Sequence, residues 1–134
     1  MKKNLFVIFV INLYLVNSIY SKYAEFTCLT KYLKNLNSNN IFNLGVEFEK
    51  CILTRTKYHH LYKYKEVLKK YGIKWEFNSM SKVDVSKLEP EPILALIIGA
   101  FRAERFNEGI INDFINNKCF TKWLLRLKQI DDKL

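Results

Sequence analysis

The stretch Pro90-Glu91-Pro92-Ile93-Leu94-Ala95-Leu96-Ile97-Ile98-Gly99-Ala100-Phe101-Arg102-Ala103-Glu104-Arg105-Phe106-Asn107-Glu108-Gly109 decides how this chain folds. Its first half, Leu94 to Phe101, is apolar on every side. A helix of that composition belongs inside a bundle, because an amphipathic surface helix keeps a polar face. Both prolines are compatible with a helix that begins here. With Glu89 at the cap and Pro90 as the first helical residue, both fall within the first turn, where the missing N–H is not needed. Glu89 and Glu91 then oppose the positive end of the helix dipole. That role accounts for the carboxylate pair without acid–base chemistry.

The second half carries the charges. Continued at helical pitch, Arg102, Arg105, Phe106 and Gly109 fall within an arc of about 100° that is continuous with Leu94 and Ile98. The pattern predicts two guanidiniums on a face that begins as core. A buried arginine needs a partner, since an unpaired buried charge costs several kcal/mol. The partner is either a carboxylate of this chain, the commoner solution, or an anionic ligand. Glu104 and Glu108 lie one turn apart, and Arg105 stands three residues before Glu108, within ion-pair reach. Arg102, Glu104, Arg105 and Glu108 are therefore the candidate ligand-binding residues. Gly109 either ends the helix or lets a neighbour approach closely.

Working outward, Phe26, Leu29, Leu33 and Leu36 give Ala24–Asn37 a helical stripe, and Asn37-Ser38-Asn39-Asn40 reads as a loop. In Ile41–Leu53, Phe42, Leu44, Val46 and Phe48 alternate as in a strand. The same segment also reads as a helix interrupted at Gly45, and a helix over Val46–Leu53 is preferred. Leu61, Tyr64, Leu68 and Tyr71 predict a helix over Thr56–Tyr71 with Gly72 as its C-terminal cap. Residues 73–77 are a short extended segment or a single turn, and 78–87 are polar and loop-like. After the central helix come a short helix over Ile110–Asn116 and a last one whose apolar face is Phe120, Trp123, Leu124, Leu127 and Ile130. A left-handed asparagine is expected to break the chain at 116–118, with Arg126 and Lys128 favourably placed near the final C-terminus. The fold class is all-α: a small single-domain bundle of about five helices, with at most one short extended segment near 41–48 or 73–77.

The N-terminus has the layout of a secretory signal peptide. Lys2 and Lys3 precede an apolar run, Leu5 to Val16, and Val16-Asn17-Ser18 permits cleavage after Ser18. The domains are thus a leader over 1–18 and one helical domain over 19–134, in an exported protein; a cytoplasmic chain whose first helix is 5–16 is the alternative. Cys28, Cys51 and Cys119 are an odd set. In an oxidising compartment Cys28–Cys51 is the simplest pair, and three free buried thiols are the alternative.

Of the 134 residues, 22 are Lys or Arg and 13 are Asp or Glu, a formal charge of +9. That balance favours anionic partners. Lys57, Lys63, Lys65, Lys69 and Lys70, interleaved with tyrosines, are the candidate basic surface for nucleic acid or anionic lipid. A solvated face opposite an apolar stripe explains the same pattern more simply. No phosphate-cradling glycine loop, nucleophile elbow or zinc spacing is present, and adjacent His59 and His60 diverge on a helix. No cofactor and no metal are expected.

From about Tyr58 to Ile130, the chain resembles the uncharacterised bacterial domain-of-unknown-function family 6508 (DUF6508). The octet Arg102-Ala103-Glu104-Arg105-Phe106-Asn107-Glu108-Gly109 carries the resemblance, supported by the apolar helix before it, Gly72-Ile73, Trp75 and Leu125-Arg126-Leu127. The chain departs from that pattern at Asn117-Lys118, where the family has a glycine, and in its leader. The resemblance implies a small, mostly helical domain with no established activity, and it places any site on Arg102, Glu104, Arg105 and Glu108. The expectation is a non-enzymatic binding domain with a buried Arg/Glu motif. An anion-binding site or enzyme, with Arg102 and Arg105 as clamp and Glu104 or Glu108 as base, is the main rival.

Overall fold

The computed structural model describes residues 25–133; the expected leader lies outside them. Among the described residues all regular structure is helical. Helix α1 (Thr27–Thr30) runs into a 3-10 turn, Lys31–Lys34. Helix α2 (Ile41–Phe48) continues as a π-helical stretch, Glu49–Leu53. A 3-10 helix, Thr56–Lys63, leads into α3 (Tyr64–Lys70), followed by α4 (Phe77–Ser81), α5 (Pro90–Ala103), α6 (Ile110–Asn116) and α7 (Cys119–Lys133). The all-α expectation holds, with more and shorter helices than anticipated.

Helix α5 is the axis of the bundle. Every residue from Pro92 to Ala100 is buried, and α2, α3, α6, α7 and the 3-10 helix all pack against it. It begins as its prolines require, with Glu89 extended at the cap (φ −75°, ψ 169°) and Pro90 first in the helix. An aromatic layer closes the core beside it. The Phe120 and Trp123 rings lie 5.1 Å apart and Phe114 is 5.5 Å from Trp123, all three buried. The predicted apolar face of α7 is the one that points inward, with Ile130 only half-buried.

Neither expected extended segment exists. Ile41, Leu44 and Phe48 turn inward with helical period, leaving Phe42 and Val46 on the surface, so the apparent alternation is two faces of one helix. Gly45 does not interrupt α2. It is where α5 comes closest, because a Cβ there would stand 3.0 Å from the Phe101 ring. Residues 73–77 are a helix exit rather than a strand. The Gly72 and Ile73 amides donate to the Lys69 and Leu68 carbonyls at 3.0 and 2.9 Å, the paired bonds of a Schellman cap, with Ile73 buried beside Leu68.

Thr56–Tyr71 is two pieces. The 3-10 half buries Tyr58 and Leu61, three residues apart; the α half buries Val67 and Leu68, and Tyr71 is exposed. The supposed loop 78–87 contains α4 and buries Met80 and Val85. Met80 fits because Gly99 on α5 leaves room: a Cβ there would lie 3.3 Å from the Met80 methyl. Between α6 and α7 the left-handed residue is Lys118 (φ 61°), not an asparagine.

The asparagine loop folds as read. The Asn37 side-chain oxygen accepts the Asn39 and Asn40 amides at 2.8 and 3.1 Å, a turn closed by its own side chain. Cys28 and Cys51 form a disulfide that joins α1 to the π-helical stretch, and Cys119 is free and buried.

Candidate functional site

The octet is split by the end of α5. That helix stops at Ala103 instead of running on to Gly109. The projected arc therefore ends with Arg102, and the expectation of two buried guanidiniums is corrected. Arg102 is half-buried on the last turn, and Arg105, Phe106 and Glu108 are exposed. The cause is Glu104. Its two carboxylate oxygens accept the amides of Gly109 and Ile111 at 2.8 and 3.0 Å, which folds the chain back and caps the first turn of α6. Gly109 holds a left-handed conformation (φ 91°) at that cap, and no atom lies within 4 Å of where its Cβ would be, so backbone conformation rather than close approach requires the glycine.

Glu104 is thus architectural, with both carboxylate oxygens taken up by backbone amides. Arg102 places Nη2 3.4 Å from Oε1 of Glu49, an exposed acid on the π-helical stretch. Arg105 and Glu108 make no ion pair among the described residues, with each other or with another group.

Arg102 and Arg105 still share a feature. They rim a groove of about 280 Å³ between α2 and the end of α5, with Phe42, Gly45, Val46 and the Arg102 partner Glu49 on one side and Ile98 and Phe101 on the other. Phe42 and Val46 are 57% and 52% exposed, one turn apart on α2, an unusual outlay of apolar surface next to two cations. Tyr64 faces the same corner. Partial burial raises its phenol pKa, and the charges of Arg102 and Arg105 act in the opposite sense. An aromatic ledge adjoins it. Trp75 lies 5.5 Å from Tyr64 and 5.9 Å from Phe106, donates its indole N–H to the Gly99 carbonyl at 2.9 Å, and carries the Lys65 ammonium 4.3 Å above its ring. Phe106 is 78% exposed.

The candidate basic surface is partly engaged inside the protein. Lys57 pairs with Glu25, which also receives Arg55 at 3.2 Å and the Tyr58 hydroxyl at 2.7 Å. Lys70 pairs with Glu91 at 3.1 Å, alongside His60 at 3.4 Å. Partial burial works against the Glu91 charge, and Lys70 and His60 nevertheless hold its pKa below the usual carboxylate value. Lys65 is committed to Trp75. Of the five, Lys63, Lys65 and Lys69 are exposed without an ion pair among the described residues.

Cys119 sits in a setting that disfavours its thiolate. It is buried, and burial pushes its thiol pKa up against the opposing influence of Lys122 and Asn117. No cluster of three potential metal-ligating side chains occurs among the described residues.

Two features escaped the sequence reading. The exposed Phe42/Val46 pair was hidden by a strand-like alternation, although their spacing of four is the helical signal. Arg126, expected to serve the negative end of α7, is buried, and its Nε donates to the Leu88 carbonyl at 3.0 Å. No family model, curated protein or solved structure matches this chain.

Proposed function

We propose that this is a non-enzymatic binding domain, exported and stapled by its disulfide, that holds a protein partner in the groove between α2 and the end of α5. One observation carries the reading: Phe42 and Val46 are exposed on one wall while Arg102 and Arg105 stand at the rim, Arg105 with no ion pair among the described residues. The complementary chemistry is an apolar side chain flanked by a carboxylate. Burial of the apolar group supplies affinity, and the guanidinium fork receives the acid with directional hydrogen bonds. The disulfide supports an oxidising compartment, since such bonds are rare where thiols are kept reduced. Membership of the DUF6508 family, suggested by the octet, is compatible with this reading and adds no activity to it. In the clamp-and-base reading, occupation of Glu104 by backbone amides leaves Glu108 as the base.

The test is an NMR titration of the full chain with short peptides that pair leucine or phenylalanine with aspartate, against peptides in which asparagine replaces the acid. Shifts at Phe42, Val46, Arg102 and Arg105 that need the acid and vanish in Arg105→Glu support the groove. Shifts confined to Lys63, Lys65 and Lys69, produced by single-stranded oligonucleotide and weakening steeply with salt, would replace it with the nucleic-acid reading.

A further inference from the structure

A second cavity, of about 510 Å³, opens between the 81–86 segment and the outer flank of α7. It shares no lining residue with the α2/α5 groove. Its charges are unbalanced. Lys82, Lys122 and Arg126 line it, against the single carboxylate of Asp84. Hydrogen bonds from Ser86 lower the Asp84 pKa, so the acid is charged at neutral pH and the excess is two positive charges. None of the three cations forms an ion pair among the described residues.

Arg126 is the informative member, because it is only 8% exposed and forms no ion pair among the described residues. Its only hydrogen bond to a described residue runs from Nε to the Leu88 carbonyl. Neither Nη group bonds to a described residue, and Arg126 lines the cavity. A guanidinium anchored through Nε presents its Nη pair as a fixed fork, the geometry that receives two oxygens of one anion. Beside it, Leu125 is 46% exposed and Val83 and Val85 supply further apolar lining, which inorganic phosphate would not need.

We propose that this cavity binds a phosphomonoester with a small apolar body. A phosphomonoester carries nearly two negative charges at neutral pH, matching the excess. Two of its oxygens meet Arg126, Lys82 and Lys122 neutralise the remainder, and the body lies on Leu125. The volume is that of a small-molecule site rather than an ion site.

The probes are phenyl phosphate, inorganic phosphate and benzyl alcohol, titrated calorimetrically and by NMR into the full chain with its disulfide intact. Phenyl phosphate is expected to bind saturably, shifting the Arg126 Nε–H, Leu125 and Val83 resonances. Inorganic phosphate should bind more weakly and benzyl alcohol not at all. Affinity should rise as the phosphate loses its second proton on going from acid to neutral pH. Arg126→Lys keeps the charge and loses the fork, and an about tenfold weakening is expected. Lys82→Ser/Lys122→Ser alters only exposed groups, so it stays folded whatever Arg126→Lys does, and it should weaken binding by about tenfold as well. No saturable binding, equal binding by inorganic phosphate, shifts scattered over the 57–70 lysines, or full affinity in the double variant would each overturn the proposal. These cavity resonances are separate from those of the α2/α5 groove, so the two readings fail independently.

Discussion

At Glu104 one carboxylate sets the course of the chain. It holds the Gly109 and Ile111 amides, and α6 starts where those bonds place it. Glu104→Ala should destabilise the domain by about 0.5–2 kcal/mol, the usual cost of a lost helix cap, with Glu104→Gln in between; urea denaturation measures both. Arg105, two residues past the end of α5, should behave oppositely. Arg105→Ala is expected to leave the melting temperature unchanged, because the side chain is exposed and without an ion pair among the described residues. A clear drop would restore the buried network that the sequence implied. Lys118 is a third test. A lysine at φ 61° is strained in a way glycine is not, so Lys118→Gly should stabilise by about 1 kcal/mol in the same assay.

Among the elements, α2 and α5 are coupled through Gly45. Alanine there would raise helix propensity by about 1 kcal/mol. It would also press on the Phe101 ring, which packs 5.6 Å from Phe120, and overpacking costs about 1–3 kcal/mol. Gly45→Ala should therefore be net destabilising and should perturb the α2/α5 groove, read by thermal melting and by the Phe101 ring resonances. Legibility also divides by element. Helices α5 and α7 were readable because an unbroken apolar run and a clean helical stripe each admit one interpretation. The end of α5 was not, since Arg102 to Gly109 keeps helical spacing while the Glu104 caps, a contact several residues ahead, stop the helix. The α4 segment was misread for a similar reason. Met80 is one apolar residue in a polar stretch, and only the notch at Gly99 gives it a place in the core. The candidate site was legible as an address, Arg102 and Arg105. Its apolar half was not, because Phe42 and Val46 come from a distant part of the chain.

For the molecule as a whole, the corner where α1 meets α7 sets the response to pH. Asp131 is buried and accepts the Phe26 amide at 3.0 Å; burial raises its pKa above 3.8 despite that bond, so the charged form is disfavoured in the fold. Its contribution to stability falls as pH rises from 3.8 through the folded value. Glu25 works the other way. Burial opposes its charge, but hydrogen bonds from Lys57 and Tyr58 and the nearby cations hold its pKa below 4.5, so the stability it provides is present above that pH and is lost as pH falls through the folded value. Asp131→Asn keeps an oxygen for the Phe26 amide and removes the charge. It should raise the melting temperature at neutral pH, with the advantage shrinking to nothing as pH drops below 3.8. A constant difference across that range would refute the assignment.

The Cys28–Cys51 bond bears on how that corner can come apart. Residues 26–30 reach across to α7 through Phe26 and Asp131, 105 positions away, yet their covalent tie is to the π-helical stretch after α2, only 23 positions on. With the bond closed, a strand of chain released from α7 stays leashed beside its seat, and reclosure is a short-range search. Reductant removes that short tie and leaves residues 26–30 joined to α2 only through the backbone of 31–40, which would show first as faster hydrogen exchange at the Phe26 and Leu29 amides while α5 stays protected.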